Sequence, residues 1–512
     1  MRSICIHNAI IFGKPDHTAM LCENGIITAF LNEREVEKTP SDLRLNAKGN
    51  WLLPSFFDAH IHLSEYGLRL ERLNLNGKSL HEVLDLIRKK VKETPKGEWI
   101  LGGGWQKANF GEFPTRKLLD NISTEHFIAL SSRDFHATWA NTPALNLLNV
   151  KDFLPEELPK DEHGQCHGVV FERAALKLAT LATVSTQALA KAIHAAQSKL
   201  FECGITDVFS IEGANALLAL ASLGKDLKLR VHVAIYIESL PEAKTFFKEH
   251  TLPNLSLNAV KLFLDGSLGA ETCAMLEPFE NSNNFGLSLY ADADLVRLFK
   301  IIEREGLNIA VHAIGDRAVR RALDTFEKIG ASPNSPFRHR IEHAQMIHDD
   351  DLHRFAKLGI TASMQPIHIR EDIALARRLL GKRQSELYRF KSLLNSGASV
   401  IFGSDAPIET PNVLEGCYYA IERRDKEGQL WHGNERLSFE ETLRAYTEQP
   451  NLLINKSNRG RLEIGYEANA VIVPKDFLTK LRQGIPIPTV MATMLSGEIV
   501  FKETESGELK LH

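Results

Sequence analysis

The segment Asp58-Ala59-His60-Ile61-His62 places two histidines one residue apart. On an extended strand alternate side chains leave the backbone on the same side, so His60 and His62 would project together. Two imidazoles side by side are a natural start to a divalent-metal site, although such a pair is more often two polar residues closing a strand. Lys261 lies in the otherwise apolar run NAVKLFLDGS. An ammonium group is rarely buried unless it is paired or chemically altered. Facing two metal ions, a lysine can be carboxylated and bridge them as a carbamate, which removes the buried cation. The alternative is a solvated lysine on the outer face of the strand. His312 in VHAIGD, His343 in IEHAQ and Asp405 in IFGSDAP each stand at the end of an apolar run.

Elements must exist to hold these residues together. From about Val184 short apolar runs ending in polar residues alternate with amphipathic stretches such as LVRLFKIIEREG and DDLHRFAKLG. The runs are GITDVFS, LRVHVAIYI, NAVKLFLDGS, NIAVHAIGD, HRIEHAQ, GITASMQP and ASVIFGSDAP, with LLPSFFDAHIH as an earlier member. That alternation predicts a parallel sheet of βα units, and eight of them predict an α/β fold closed as a (β/α)8 barrel. The barrel is expected over 54–67 and 184–457. A βα unit takes roughly 30 residues or more, so the candidate ligands fall at the ends of strands 1, 4, 5, 6 and 8, with GITASMQP as the strand between His343 and Asp405. Working groups at strand C-terminal ends are what this barrel provides. Residues 1–53 and 458–512 read as short strands with turn signals at Asn24-Gly25 and Ser496 to Glu498, and predict one small β domain built from both termini. The stretch 68–183 lies between strands 1 and 2.

Composition narrows the function classes. The chain has 512 residues, 61 Lys plus Arg against 65 Asp plus Glu, and a net charge of −4. Such balance leaves no face for a polyanion and argues against nucleic acid as a partner. The apolar share of 44% and charged share of 25% are ordinary for a soluble globular protein. Six scattered cysteines without a C-x-x-C pair read as free thiols in a reducing compartment. The N-terminal apolar run is broken by His7 and Asn8, and no apolar run has spanning length. A cytoplasmic protein without membrane partners is expected.

Taken together, LLPSFFDAHIH, HATWANTPAL, GVVFERAA, VKLFLDGSLGAETCA, VHAIGDRAV, RIEHAQ, SMQPIH, GSDAPIE and GRLEIG resemble the amidohydrolase superfamily. The resemblance is to its YtcJ-like branch of metal-dependent amidohydrolases (the amidohydrolase family 3 type), and runs from about Leu52 to Gly465. It implies that the β domain of both termini is a β-sandwich and that 68–183 is an inserted α+β domain after strand 1. It also implies metal-ligand roles for His60, His62, Lys261, His312 and His343, and a metal-binding, proton-transferring role for Asp405. Three positions depart from the family pattern: Ser55 stands where Gly is usual, Glu271 where Arg is usual, and Asn469 where Asp is usual. Ser55 and Asn469 are expected away from the metal centre, whereas Glu271 changes the charge near the substrate.

The chemistry implied is hydrolysis of a C–N bond in an amide-like small molecule, N-acyl, N-formyl or cyclic amide. One or two divalent ions, with Zn2+ the first choice, lower the pKa of bound water from 15.7 to about 7, so that hydroxide exists at neutral pH. Asp405 would take the proton and return it to the leaving amine. A mononuclear deaminase-type hydrolase using His60, His62, His312 and Asp405 is the alternative, and a non-catalytic interaction scaffold a third reading. In the insertion, Trp105, His136 and Trp139 are candidate substrate contacts; a structural cover whose aromatics form its own core is the competing reading. Asp265 and Glu172 are further candidates for facing the substrate. A homodimer is compatible with the habit of this fold class.

Overall fold

The computed structural model describes residues 3–132, 137–182, 184–425, 427–484 and 487–503. Eight parallel strands form the central sheet. They are β1 (Phe56–Ile61), β2 (Ile205–Glu212), β3 (Arg230–Tyr236), β4 (Leu255–Phe263), β5 (Asn308–Ala313), β6 (Arg340–His343), β7 (Thr361–Met364) and β8 (Val400–Phe402). Each pairs with the next in sequence order. The two edges meet just past β8, where Asp405 N–H donates to His60 O at 2.7 Å and His62 N–H to Ala406 O at 2.9 Å. Asp58 reinforces that seam by accepting the backbone N–H groups of His60 and Ser404. A Cβ at Gly403 would lie 2.3 Å from the backbone nitrogen of His60, so the approach of the two edges requires glycine there. The expected (β/α)8 barrel is present, and each of the eight apolar runs forms one of its strands.

The strands read as continuous apolar runs because parallel strands are covered on both faces. All residues of β1 and β2 are buried. The outer helices carry a single apolar stripe. Helix Asp316–Ile329 buries Ala318, Val319, Ala322, Leu323 and Phe326 and stops at Gly330, whose φ of +83° no β-carbon-bearing residue adopts cheaply.

Both ends of the chain join one seven-stranded sheet. Strand Leu43–Pro54 pairs parallel with Ser3–Ile11 and antiparallel with Ala470–Val473, then runs through Ser55 directly into β1. The hairpins expected at Asn24-Gly25 and at Ser496 are formed, with positive φ at all four turn residues Asn24, Gly25, Ser496 and Gly497. Ile4, Ile6, Met20, Leu45, Ile472 and Met494 share one core, so side chains from both termini pack together. At the other end of the barrel from the candidate ligands, Arg230 ties this sheet to β2 and β3. Its guanidinium lies 3.2 Å from Asp207, 2.6 Å from Glu467 and 2.7 Å from Ser496 Oγ.

By internal contacts the chain divides into two compact units, 1–66 with 194–512 and 67–193. The first holds the barrel and the composite sheet. The second contains a five-stranded sheet and helix Leu80–Glu93, which a Ser79/Glu82 capping box opens. It takes the first half of helix Thr186–Glu202 as well. Among the described residues no helix is long and apolar enough to cross a membrane, and all six cysteines are free.

Candidate metal centre

β1 carries His60, and His62 follows one residue past its end, both on the same side as period-two spacing requires. His60 Nδ1 is 2.6 Å from Glu342 Oε2, which leaves Nε2 as the nitrogen facing the centre. That nitrogen is buried and has no hydrogen-bond partner among the described residues. It lies 3.3 Å from Asp405 Oδ1, and His62 Nε2 lies 3.3 Å from the same oxygen. One donor atom from each of His60, His62 and Asp405 falls within 4.8 Å of the others. Imidazole nitrogens and a carboxylate converging in this way are the donor set of a divalent ion, and the orphaned Nε2 is the lone pair such an ion would use.

Asp405 follows β8 with a φ of +61°, and His343 ends β6 with a φ of +70°. Left-handed backbone at non-glycine residues costs about 1–3 kcal/mol and persists only where the surroundings over-determine it. Here it turns both side chains inward. Burial pushes the Asp405 carboxyl up, but its contacts with His60 and His62 together overcome that and hold it well below the ordinary carboxylate range. It is therefore an anion at neutral pH.

Lys261, on β4, is 1% exposed, which rules out the solvated outer-face alternative. No carboxylate forms an ion pair with it among the described residues, and its ammonium sits 4.9 Å from the Phe263 ring centroid. Burial draws its pKa down to about 8, against which the charges of Glu342 and Asp405 act.

His312 on β5 donates Nε2–H to Gly266 O at 3.1 Å, so Nδ1 carries its lone pair. His343 Nδ1 is 2.8 Å from Gln365 Oε1, and the Gln365 amide donates to Ser363 O, which fixes that oxygen as the acceptor. Nε2 is then the free nitrogen of His343. Burial, aided by the charge of Lys261, pulls His312 down to about 3. Burial with the neighbouring imidazoles holds His343 well below the ordinary imidazole value. Both rings are neutral, the state in which imidazole binds a metal. The His343 ring lies 4.8 Å from that of His60 and 4.6 Å from that of His312, and so links the two groups of candidate ligands.

The substrate candidates meet a different outcome. Trp105 and Trp139 are 1% and 0% exposed. They lie in the insertion's own core with Leu75, Val83, Ile87 and Ile128. Their indole N–H groups bond to Leu130 O and Thr115 O. This corrects the expectation of a substrate-facing pair, because neither ring has surface left to offer. Asp265 is corrected for the same reason. Its Oδ2 accepts N–H from Ala274 and Gly315 at 2.9 Å each and its Oδ1 from Ile314 at 3.1 Å. It anchors the loop after β5 and stands 3.5 Å behind His312. Glu172 is exposed at the first position of helix Glu172–Leu181 in the inserted unit. His136 lies outside the described residues. The two departures Ser55 and Asn469 touch each other, Ser55 N–H donating to Asn469 O at 3.1 Å, where the composite sheet enters the barrel.

Four groups at this centre had no assigned role from sequence: Glu342, Arg340, Gln365 and His368. Glu342 and Arg340 are charged residues in a buried strand, the signal that singled out Lys261. His368 Nε2 is buried, lacks a hydrogen-bond partner among the described residues, and is 3.6 Å from Asp405 Oδ2.

A parallel barrel with imidazoles and one carboxylate gathered at its strand ends defines a metal-dependent hydrolase, and the chain belongs to the amidohydrolase family, whose sequence model matches residues 45–501. It is 27% identical over 512 residues to YtcJ of Bacillus subtilis (strain 168), covering 95% of this chain and 96% of that one. It is 24% identical over 518 residues to N-substituted formamide deformylase of Arthrobacter pascens, covering 95% of each. Among solved structures, an uncharacterized metal-dependent hydrolase from Pyrococcus furiosus superposes with a TM-score of 0.74 at 29% identity, covering 92% of this chain and 98% of that one.

Proposed function

We propose that this hydrolase cleaves a C–N bond in an amide-like small molecule, N-acyl, N-formyl or cyclic amide, with Zn2+ as its ion. The observation that carries the proposal is the convergence of His60 Nε2, His62 Nε2 and Asp405 on one point, with the His60 nitrogen otherwise unpartnered among the described residues. A bound zinc ion supplies Lewis acidity toward a carbonyl oxygen and lowers the pKa of water to about 7. Asp405, an anion with one oxygen toward His60 and His62 and the other toward His368, is the group that accepts the water proton and delivers it to the departing nitrogen. His312 and His343 stay neutral through this because burial disfavours their charged forms, and the hydrogen bonds to Gly266 O and Gln365 Oε1 set which nitrogen of each keeps the lone pair. The likeness to an N-substituted formamide deformylase supports the N-formyl end of the substrate range.

Lys261, His312 and His343 would hold a second ion, with Lys261 carboxylated. Its pKa near 8 leaves far more free amine for reaction with CO2 than an ordinary lysine has. A single-ion version has its own support, since only His60, His62 and Asp405 form a tight donor group among the described residues. Metal stoichiometry with and without bicarbonate separates the two: two zinc ions per chain, falling to one when CO2 is excluded, is the outcome of the carbamate reading. Free cysteines fit a reducing, cytoplasmic setting. The test of the function is hydrolysis across N-formyl, N-acyl and cyclic amides by wild type and by Asp405→Asn. No turnover of any of them by folded, zinc-loaded protein refutes it.

A further inference from the structure

Below the histidines, three strands contribute a chain of polar groups, buried at Arg340 and Glu342 and partly buried at Asn258, that ends on His60. Arg340 and Glu342 are alternate residues of β6, each 1% exposed. Glu342 Oε2 is 2.6 Å from His60 Nδ1, and Glu342 Oε1 accepts from Arg340 Nε at 2.9 Å. Arg340 Nη1 donates to Asn258 Oδ1 on β4 at 2.9 Å, and its guanidinium lies 4.2 Å from the Phe209 ring centroid. Both carboxylate oxygens of Glu342 are therefore committed, one to each neighbour. The guanidinium is fixed from two directions, by an amide and by an aromatic face.

We propose that Arg340 and Glu342 are positioning residues that set the tautomer of His60, so that its Nε2 lone pair faces the ion. This rests on the metal-centre reading above. A neutral imidazole divides between two tautomers, and only the one with the proton on Nδ1 offers Nε2 to a metal. A carboxylate accepts and cannot donate, so Glu342 at 2.6 Å selects that tautomer and fixes the ring plane. A carboxylate buried among apolar strands needs a compensating charge, and Arg340 provides it through a directed N–H bond. Arg340 also fixes which way the Glu342 carboxylate faces.

That arrangement makes an unusual prediction for Glu342→Gln. Arg340 Nε–H must bond an acceptor, so the amide turns its oxygen to Arg340 and its NH2 to His60. Nδ1 then has to accept, the proton moves to Nε2, and the ligand lone pair is lost. Loss of such a partner costs about 10–100-fold in metal affinity. Removing Arg340 as well, in the double variant R340M/E342Q, frees the amide to rotate and present its oxygen to Nδ1. Zinc affinity should then return toward wild type although a second residue has been changed.

The experiment is zinc affinity by competition with a chromophoric chelator, on wild type, E342Q and R340M/E342Q, with thermal unfolding to verify folding. The expected result is weaker binding by about 10–100-fold for E342Q and tighter binding by the double variant than by the single one. Equal affinity in E342Q and wild type overturns the relay, and so does a double variant as weak as the single one, because a merely structural role gives no rescue. If E342Q does not fold, R340M/E342Q is compared with R340M/E342L, whose leucine can neither donate nor accept. Tighter binding by the glutamine form supports the relay, and equal binding overturns it. Wild type that binds no zinc in this assay refutes instead the metal centre itself.

Discussion

Gly403→Ala places one methyl group at the seam that closes the barrel. Its Cβ would stand 2.3 Å from His60 N, 2.8 Å from His60 Cβ and 2.9 Å from Asp58 Oδ1. Ordinary contact begins near 3.4 Å, and the closest of these atoms is backbone, so β1 and the end of β8 must separate by about 1 Å. Overpacking of that kind costs about 1–3 kcal/mol. The two hydrogen bonds of the seam flank the candidate ligands, so the same displacement moves Asp405 away from His60 and His62. A misplacement of about 1 Å at reacting groups can lower turnover by about 10²-fold. The assays are denaturant midpoint, zinc affinity and turnover of an N-formyl or N-acyl substrate, with Gly103→Ala as control, where a Cβ meets nothing closer than 3.7 Å. The control should stay within about 0.5 kcal/mol of wild type. Gly403→Ala with wild-type stability, zinc affinity and turnover would show that the two edges do not close at this point, and the derivation of the site from the closure would fail.

Further expectations concern separate parts of the molecule. Trp139→Phe removes the indole bond to Thr115 O and should cost about 1–3 kcal/mol of stability with turnover unchanged; a large loss of kcat/KM without loss of stability would return Trp139 to the substrate. Asp207 is held below the usual carboxylate range against the opposing effect of burial, chiefly by Arg230 with help from His232 and Arg459. Because its folded pKa is depressed, its stabilisation is full above the unfolded value of about 3.9 and is lost as pH falls toward the folded value. Asp207→Asn should therefore cost about 3 kcal/mol at pH 7, and its difference from wild type should shrink below about pH 4; a pH-independent difference contradicts this. Lys261→Met should leave one zinc per chain and remove any dependence on bicarbonate, as read by metal analysis; two ions retained would exclude a carbamate ligand.

The barrel was legible because each parallel strand is an apolar run ending in a polar residue, and the polar residue is where the strand meets the mouth. His60 and His62 were legible through period two, and Lys261 through the cost of burying an ammonium. Arg340 and Glu342 carry the same signal as Lys261, one strand away. Nothing local in RIEHAQ separates a charged pair turned toward His60 from one that merely caps the strand end beside His343. The tryptophans show a different limit. An indole in a core and an indole facing a substrate leave the same trace in the chain, and only the packing of Trp139 against the insertion's other strands separates them. Asp265 had the right neighbourhood and the wrong direction, since nothing local in DGSLG says that its oxygens turn back to three backbone amides. The left-handed backbone at His343 and Asp405 is equally silent in sequence, because neither residue is glycine.

The most direct test of the account is metal removal and return on one preparation, with zinc content and hydrolysis of N-formyl and N-acyl amides measured together. The account predicts that the chelated protein stays folded and inactive, that one or two zinc ions per chain restore turnover, and that a His60→Asn/His62→Asn variant neither binds nor recovers. Full turnover by protein stripped of metal, or equal zinc uptake by that variant, would contradict it.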